Sequence, residues 1–153
     1  MYLNKRTYIG ANYEHMNVKG EINITAGNND KKINIKLKRV VHITEEIAYW
    51  RKSNHIHAWF VKNVQGDEDD CGEYPVSANH LKQLLAVLKA ALANKKQAGL
   101  LAPTASGFFF GSTEYYECYF EETERTIKII EEILKDVDDR GCLNGDYFYN
   151  ASW

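Results

Sequence analysis

The sequence is poor in features that mark several common protein classes. Its 153 residues include only two prolines, which argues against disordered linkers. No stretch approaches the roughly 18 successive apolar residues of a membrane-spanning helix. The opening "MYLNKRTYIG" carries cations but no apolar run of signal-peptide length after them. These absences lead to the expectation of a cytoplasmic protein with no membrane partner. The three cysteines, Cys71, Cys118 and Cys142, are odd in number and widely spaced. Without a CxxC pair they read as reduced thiols, and the ligand spacing of a structural zinc site is missing. Neither a metal nor a cofactor is expected. A large charge excess is lacking too: 19 basic against 21 acidic residues leave a formal net charge of -2, so a broad cationic surface for duplex nucleic acid is not expected. No Walker, GxGxxG, GxSxG or HExxH motif occurs.

What is present reads as one α+β domain spanning residues 1–153. Clean alternation runs through Ile22, Ile24 and Ala26, and again through Ile33, Ile35, Leu37, Val41 and Ile43, on either side of the turn "GNND". Period-two alternation across a Gly/Asn turn predicts a β-hairpin, with Lys32, Lys36 and Lys38 on its opposite face. The segment "TYIGANYEH" offers a further short strand, and "DYFYNASW" a last one that returns to the sheet. Three main helices are expected to pack on that sheet. The first starts near Thr44, with Glu45 and Glu46 in a favourable first turn, and runs to about Val64. The second starts at Ser77 and carries the stripe Leu81, Leu84, Leu85, Leu88 and Leu92. The third runs from about Glu114 to Asp136 with Tyr116, Phe120, Ile127, Ile130, Leu134 and Val137 along one face.

Two segments carry candidate chemistry. In "YWRKSNHIHAWF", helical spacing places Ser53, Asn54 and His57 inside an apolar arc, so they must either meet partners within the fold or face a polar cavity. The same spacing groups Lys52, His55 and Trp59 on the opposite side with Arg51 beside them, a cluster suited to stacking a base while cations meet phosphate. In "SGFFFGSTEYYECYF", glycines bracket three phenylalanines, and Ser112 and Thr113 precede a helix whose free amides would bind an anion. A buried strand with a Ser/Thr cap is the plainer reading of that segment. For catalysis, His57 as base, Asp69 or Asp70 as its orienter and Cys71 as nucleophile are candidates without a spacing that fixes them in one site. The acidic run "DEDD" does not match the EF-hand pattern.

Together "YWRKSNHIHAWFV", "DDCGEYPVS", "LLAPTASGFFFGSTEYYECYF" and the closing "FYNASW" resemble a group of small proteins of tailed bacteriophages and prophages, from about Arg39 to Trp153. Ala102 and Tyr116 depart from that pattern. The resemblance implies a phage accessory protein working in the host cytoplasm. By analogy of context it implies a counter-defence role, either sequestering a nucleotide signal or clamping a host defence protein. The leading expectation is a non-enzymatic protein that binds and sequesters a phosphorylated small molecule, a cyclic or signalling nucleotide. Trp50 or Trp59 and Phe109 would stack, Arg51 and Lys52 would meet phosphate, and Asn54 and His57 would meet base or ribose edges. Ser112 and Thr113 would hold an anion, with Tyr115 in the same loop. The alternatives are a protein-binding inhibitor, in which Trp59 and the acidic "GDEDD" loop anchor a partner, and a nucleotide hydrolase. A homo-oligomer, in first place a dimer, is expected to cover Trp59 and Trp153.

Overall fold

The computed structural model describes residues 1–10, 23–26, 31–34, 40–106 and 112–152, with 23–26 and 31–34 described by their backbone. Among these, four strands form one antiparallel sheet: β1 (Tyr2–Tyr8), β4 (His42–Tyr49), β5 (Glu73–Val76) and β6 (Asp146–Asn150), in the order β4-β1-β6-β5. Strands β2 (Asn23–Ala26) and β3 (Lys31–Asn34) pair separately as the expected hairpin, with Ile24 opposite Ile33. The helices are α1 (Asn54–Asn63), α2 (Ala78–Ala93), the short α3 (Ala98–Leu101) and α4 (Glu117–Lys135). This is the α+β architecture expected, with three main helices and a returning carboxy-terminal strand. No helix among the described residues is long and apolar enough to cross a membrane.

The first helix starts ten residues later than its sequence suggests. Thr44 to Tyr49 instead lie in β4, which is registered against the whole of β1 from Tyr2 opposite Tyr49 to Tyr8 opposite His42. Glu45, an apparent first-turn acid, faces Lys5 across the strands. Opposite charges in that position favour pairing, and Ile43, Thr44 and Ile47 suit a pleated surface, so tertiary context overrides the helical signal. The chain then turns through Trp50–Ser53, where Lys52 adopts a left-handed conformation with φ of 63°. Arg51 and Lys52 therefore precede the helix, and the helical angles that grouped them with His55 and Trp59 do not apply.

Ser77 caps α2 as expected: its hydroxyl accepts from the His80 amide while the Ser77 amide donates to the His80 ring. Strand β5, unmarked in the acidic loop, pairs among the described residues only with β6. As an edge strand it tolerates Pro75, which cannot donate to a ladder. Helix α4 begins at Glu117 with Tyr116 as its cap residue, so Ser112 and Thr113 stand in the preceding loop and not at the helix start. Its buried face also differs from the apolar stripe expected, because it includes Thr123 and Thr126 while Tyr116 is exposed. Leu3, Ala48, Tyr147 and Tyr149 of the sheet meet Phe60 of α1, Leu81, Leu84 and Leu88 of α2 and Ile130 of α4 in one core. The Phe108–Phe110 segment, with Phe109, and Trp153 lie outside the described residues.

Candidate functional site

A polar seam joins the stretch Trp50–His57 to α4. Thr123 and Thr126 each donate their hydroxyl to the carbonyl four residues back, Tyr119 and Glu122, at 2.7 Å. A hydroxyl has a single proton, so each then presents only lone pairs outward. Thr126 accepts from the Trp50 indole N–H at 2.9 Å and Thr123 meets His55 Nε2 at 3.1 Å. Trp50 is 1% exposed and tilted against Phe60. Its ring is a core element, with its one donor satisfied, and the stacking role expected of it has no open face. His55, expected beside the exposed cations, is 3% exposed and packs on the Tyr119 ring at 4.1 Å. Burial holds its pKa down to about 4, so the ring is neutral at pH 7.

His57, two residues on, turns into the core. Its Nδ1 lies 2.7 Å from the Tyr149 hydroxyl and its Nε2 3.0 Å from Asp69 Oδ2. The carboxylate accepts only, so Nε2 donates to it and, in the neutral ring, Nδ1 accepts from Tyr149. Burial and the nearby Asp69 push the Tyr149 phenol well above its ordinary range, which keeps it protonated. The sequence pairing of His57 with an aspartate is thus realised with Asp69, whereas Asp70 binds the Gly72 amide and the Tyr74 hydroxyl. Because Tyr149 is fully buried and stacked on Phe60 at 4.0 Å, this chain ties α1, β6 and the acidic loop together.

Between these elements and the loop before α4 lies a cleft of about 260 Å³. The turn before α1 contributes Arg51, Lys52 and Ser53, and the first residues of α1 contribute Asn54 and His55. Thr104, Ser112, Glu114 and Tyr116 come from the loop, and Cys118, Tyr119 and Glu122 from α4. Asn54 Nδ2 donates to the Ser112 carbonyl at 2.8 Å, which holds the loop against α1. The loop is also folded on itself: Thr104 donates its hydroxyl to the Thr113 carbonyl, and its amide donates to the Tyr115 hydroxyl. Glu122 Oε2 accepts from Ser53 Oγ and from Arg125, each at 3.1 Å. Its charge is therefore offset within the wall. Arg51 and Lys52 are exposed and form no ion pair among the described residues.

Of the residues expected to bind, Arg51, Lys52, Asn54 and Ser112 converge on this cleft. Trp50 and His57 are committed to the core, and half-buried Trp59 packs edge-on against Phe60 at 5.4 Å. Tyr115 packs against Tyr119 behind the loop, and Thr113 meets Thr104 through its carbonyl. The α4 amide terminus expected to hold an anion at Ser112 and Thr113 is displaced to Tyr116 and Glu117, where an acidic first turn disfavours one. Sequence reasoning grouped His55 with Arg51 and Lys52 but as an exposed residue, and it missed the contributions of Thr104 and Glu122. Among the described residues no group of three His, Cys, Asp or Glu side chains is placed to hold a metal ion. Comparison with known proteins finds no matching family model, curated protein or solved structure.

Proposed function

We propose that this cleft binds a small phosphorylated molecule, of the class of cyclic or signalling nucleotides, and that the protein sequesters it without turning it over. The observation that carries the reading is the convergence of two cations that form no ion pair among the described residues, Arg51 and Lys52, with the buried amide of Asn54 on one concave surface. Unpaired cations at a rim meet phosphate, while polar groups deeper in a cleft orient the rest of a ligand. The volume suits one nucleotide unit, so a cyclic dinucleotide would seat one half and leave the other outside. The resemblance to tailed-phage proteins supports a counter-defence role in the host cytoplasm.

A thermal-shift screen of cyclic dinucleotides, cyclic oligonucleotides, ADP-ribose derivatives and ordinary nucleotides tests this. A ligand at 100 times its Kd adds about 2.7 kcal/mol, a melting shift of roughly 5–10 °C for a domain this size. The shift should vanish in the Arg51→Glu, Lys52→Glu double variant, and denaturing the complex should release the ligand intact. No shift with any nucleotide would overturn the reading, and recovery of a converted product would replace sequestration with hydrolysis. A second reading, a protein-binding inhibitor, is favoured by one observation: Leu100 and Tyr116 are 84% and 66% exposed, as anchors for a partner would be. A stoichiometric host protein recovered by wild type but not by a Leu100→Asp, Tyr116→Asp variant would support it.

A further inference from the structure

His55 is set up as a hydrogen-bond acceptor inside the cleft. Because the Thr123 hydroxyl spends its proton on the Tyr119 carbonyl, its contact with His55 requires the imidazole proton on Nε2. The lone pair of the neutral ring is then on Nδ1. Among the described residues Nδ1 meets no hydrogen-bond partner. It is not sealed off either, since the only side-chain nitrogen and oxygen atoms there that are both inaccessible and unpartnered are Arg6 Nε and Gln65 Oε1. The almost fully buried His55 ring lines the cleft, the surface on which the Nδ1 lone pair would meet a ligand. The Tyr119 ring tilted against it at 4.1 Å and the Thr123 contact fix its direction. Glu122 lines the same cleft, and its Oε1 carries no hydrogen bond among the described residues.

The cleft is thus polarised, with cations at its exposed rim and, on its wall, acceptors on buried His55 and half-buried Glu122. We propose, resting on its reading as a nucleotide site, that it selects a base bearing an exocyclic amine, which donates to His55 Nδ1. Adenine and cytosine supply such an N–H. Hypoxanthine and uracil place a carbonyl oxygen at the same position and would set lone pair against lone pair. A site whose buried polar atom is left unpaired rejects the wrong analogue strongly, whereas a purely apolar wall would not tell the two apart.

Isothermal titration of the wild-type protein with AMP and IMP, and with CMP and UMP, tests the selection, since each pair differs at the amine position. AMP should bind more tightly than IMP, and CMP than UMP, by on the order of tenfold. His55→Phe, which keeps a ring against Tyr119, should bring both ratios towards one while phosphate-dependent binding persists. Where that variant does not fold, the ¹⁵N shift of His55 Nδ1 in the wild type decides: it should move on adding AMP, and an unmoved resonance at saturation overturns the assignment. Equal binding within each pair, or a preference for the keto base, overturns amine selection and leaves the cleft reading standing. If none of the four binds, amine selection falls, and the cleft reading falls with it only where the cyclic nucleotides of the thermal-shift screen fail too.

Discussion

His55 and His57 lie two residues apart on α1, and both are almost fully buried, but their surroundings divide them. His57 has a partner on each ring nitrogen, Tyr149 and Asp69. Among the described residues His55 has a partner on one only, and its ring lines a cleft. The difference teaches that burial alone does not separate a core histidine from a site histidine; accounting for each nitrogen does. One ring pins the fold together, and the other presents an acceptor from a rigid wall.

The comparison is tested most severely by removing the pin. His57→Ala leaves the Tyr149 hydroxyl orphaned in the core, unpairs Asp69 and opens a cavity, and should cost about 4 kcal/mol in a urea melt. Under conditions where it remains folded it should bind AMP as the wild type does. Loss of binding with little loss of stability would reverse the roles of the two rings.

His55 should show itself in the pH dependence of stability. Its folded pKa lies below the ordinary value of 6.5, at about 4, so the unfolded chain takes up the proton first. Its contribution is complete above about pH 6.5, declines as the pH falls to about 4 and is flat below that, a total of about 3 kcal/mol. Asp70 and Asp138 have carboxyls held below their ordinary value of 3.8, chiefly by the Gly72 and Cys142 amides. Their contributions are present above that value and lost only below it. Urea melts between pH 7 and 4.5 should therefore show a decline that His55→Gln largely removes. A decline of equal size in both proteins would contradict the burial of a neutral His55.

Smaller effects sharpen the picture. Thr123→Val removes the acceptor for His55 Nε2 and should cost about 1–2 kcal/mol. It also frees the ring to carry its proton on Nδ1, so the preference for AMP over IMP should shrink in the same variant. Lys52→Gly relieves a left-handed residue with φ of 63° and should raise stability by up to about 1 kcal/mol, while weakening AMP binding through the lost cation. A stability gain with unchanged affinity would remove Lys52 from the site.

Local patterns carried part of this structure. Alternation marked the β2–β3 hairpin, and leucine spacing with a serine cap marked α2 to its first residue, because each signal is contained in a few consecutive positions. Strand β4 was misread as helix from Thr44 onward since, although alternation reaches Val41 and Ile43, its pairing with β1 spans some forty residues and leaves little local trace beyond them. The buried face of α4 was misplaced for a related reason: Thr123 and Thr126 look polar until their hydroxyls are seen returning to the α4 backbone. In the cleft, Arg51, Lys52, Asn54 and Ser112 were legible from residue type and proximity in two short segments. His55 was placed with the exposed cations because helical angles were counted through a turn that is not helical. Thr104 and Glu122 come from elements that only the tertiary fold brings together.

The division between the two histidines is tested most directly by following the imidazole nitrogens by ¹⁵N NMR while AMP is added. The His55 Nδ1 resonance should start at the position of an unprotonated nitrogen and move as it accepts a hydrogen bond, with both His57 nitrogens unchanged to saturation. Movement of the His57 resonances with His55 unaffected would contradict the assignment of one ring to the fold and the other to the cleft.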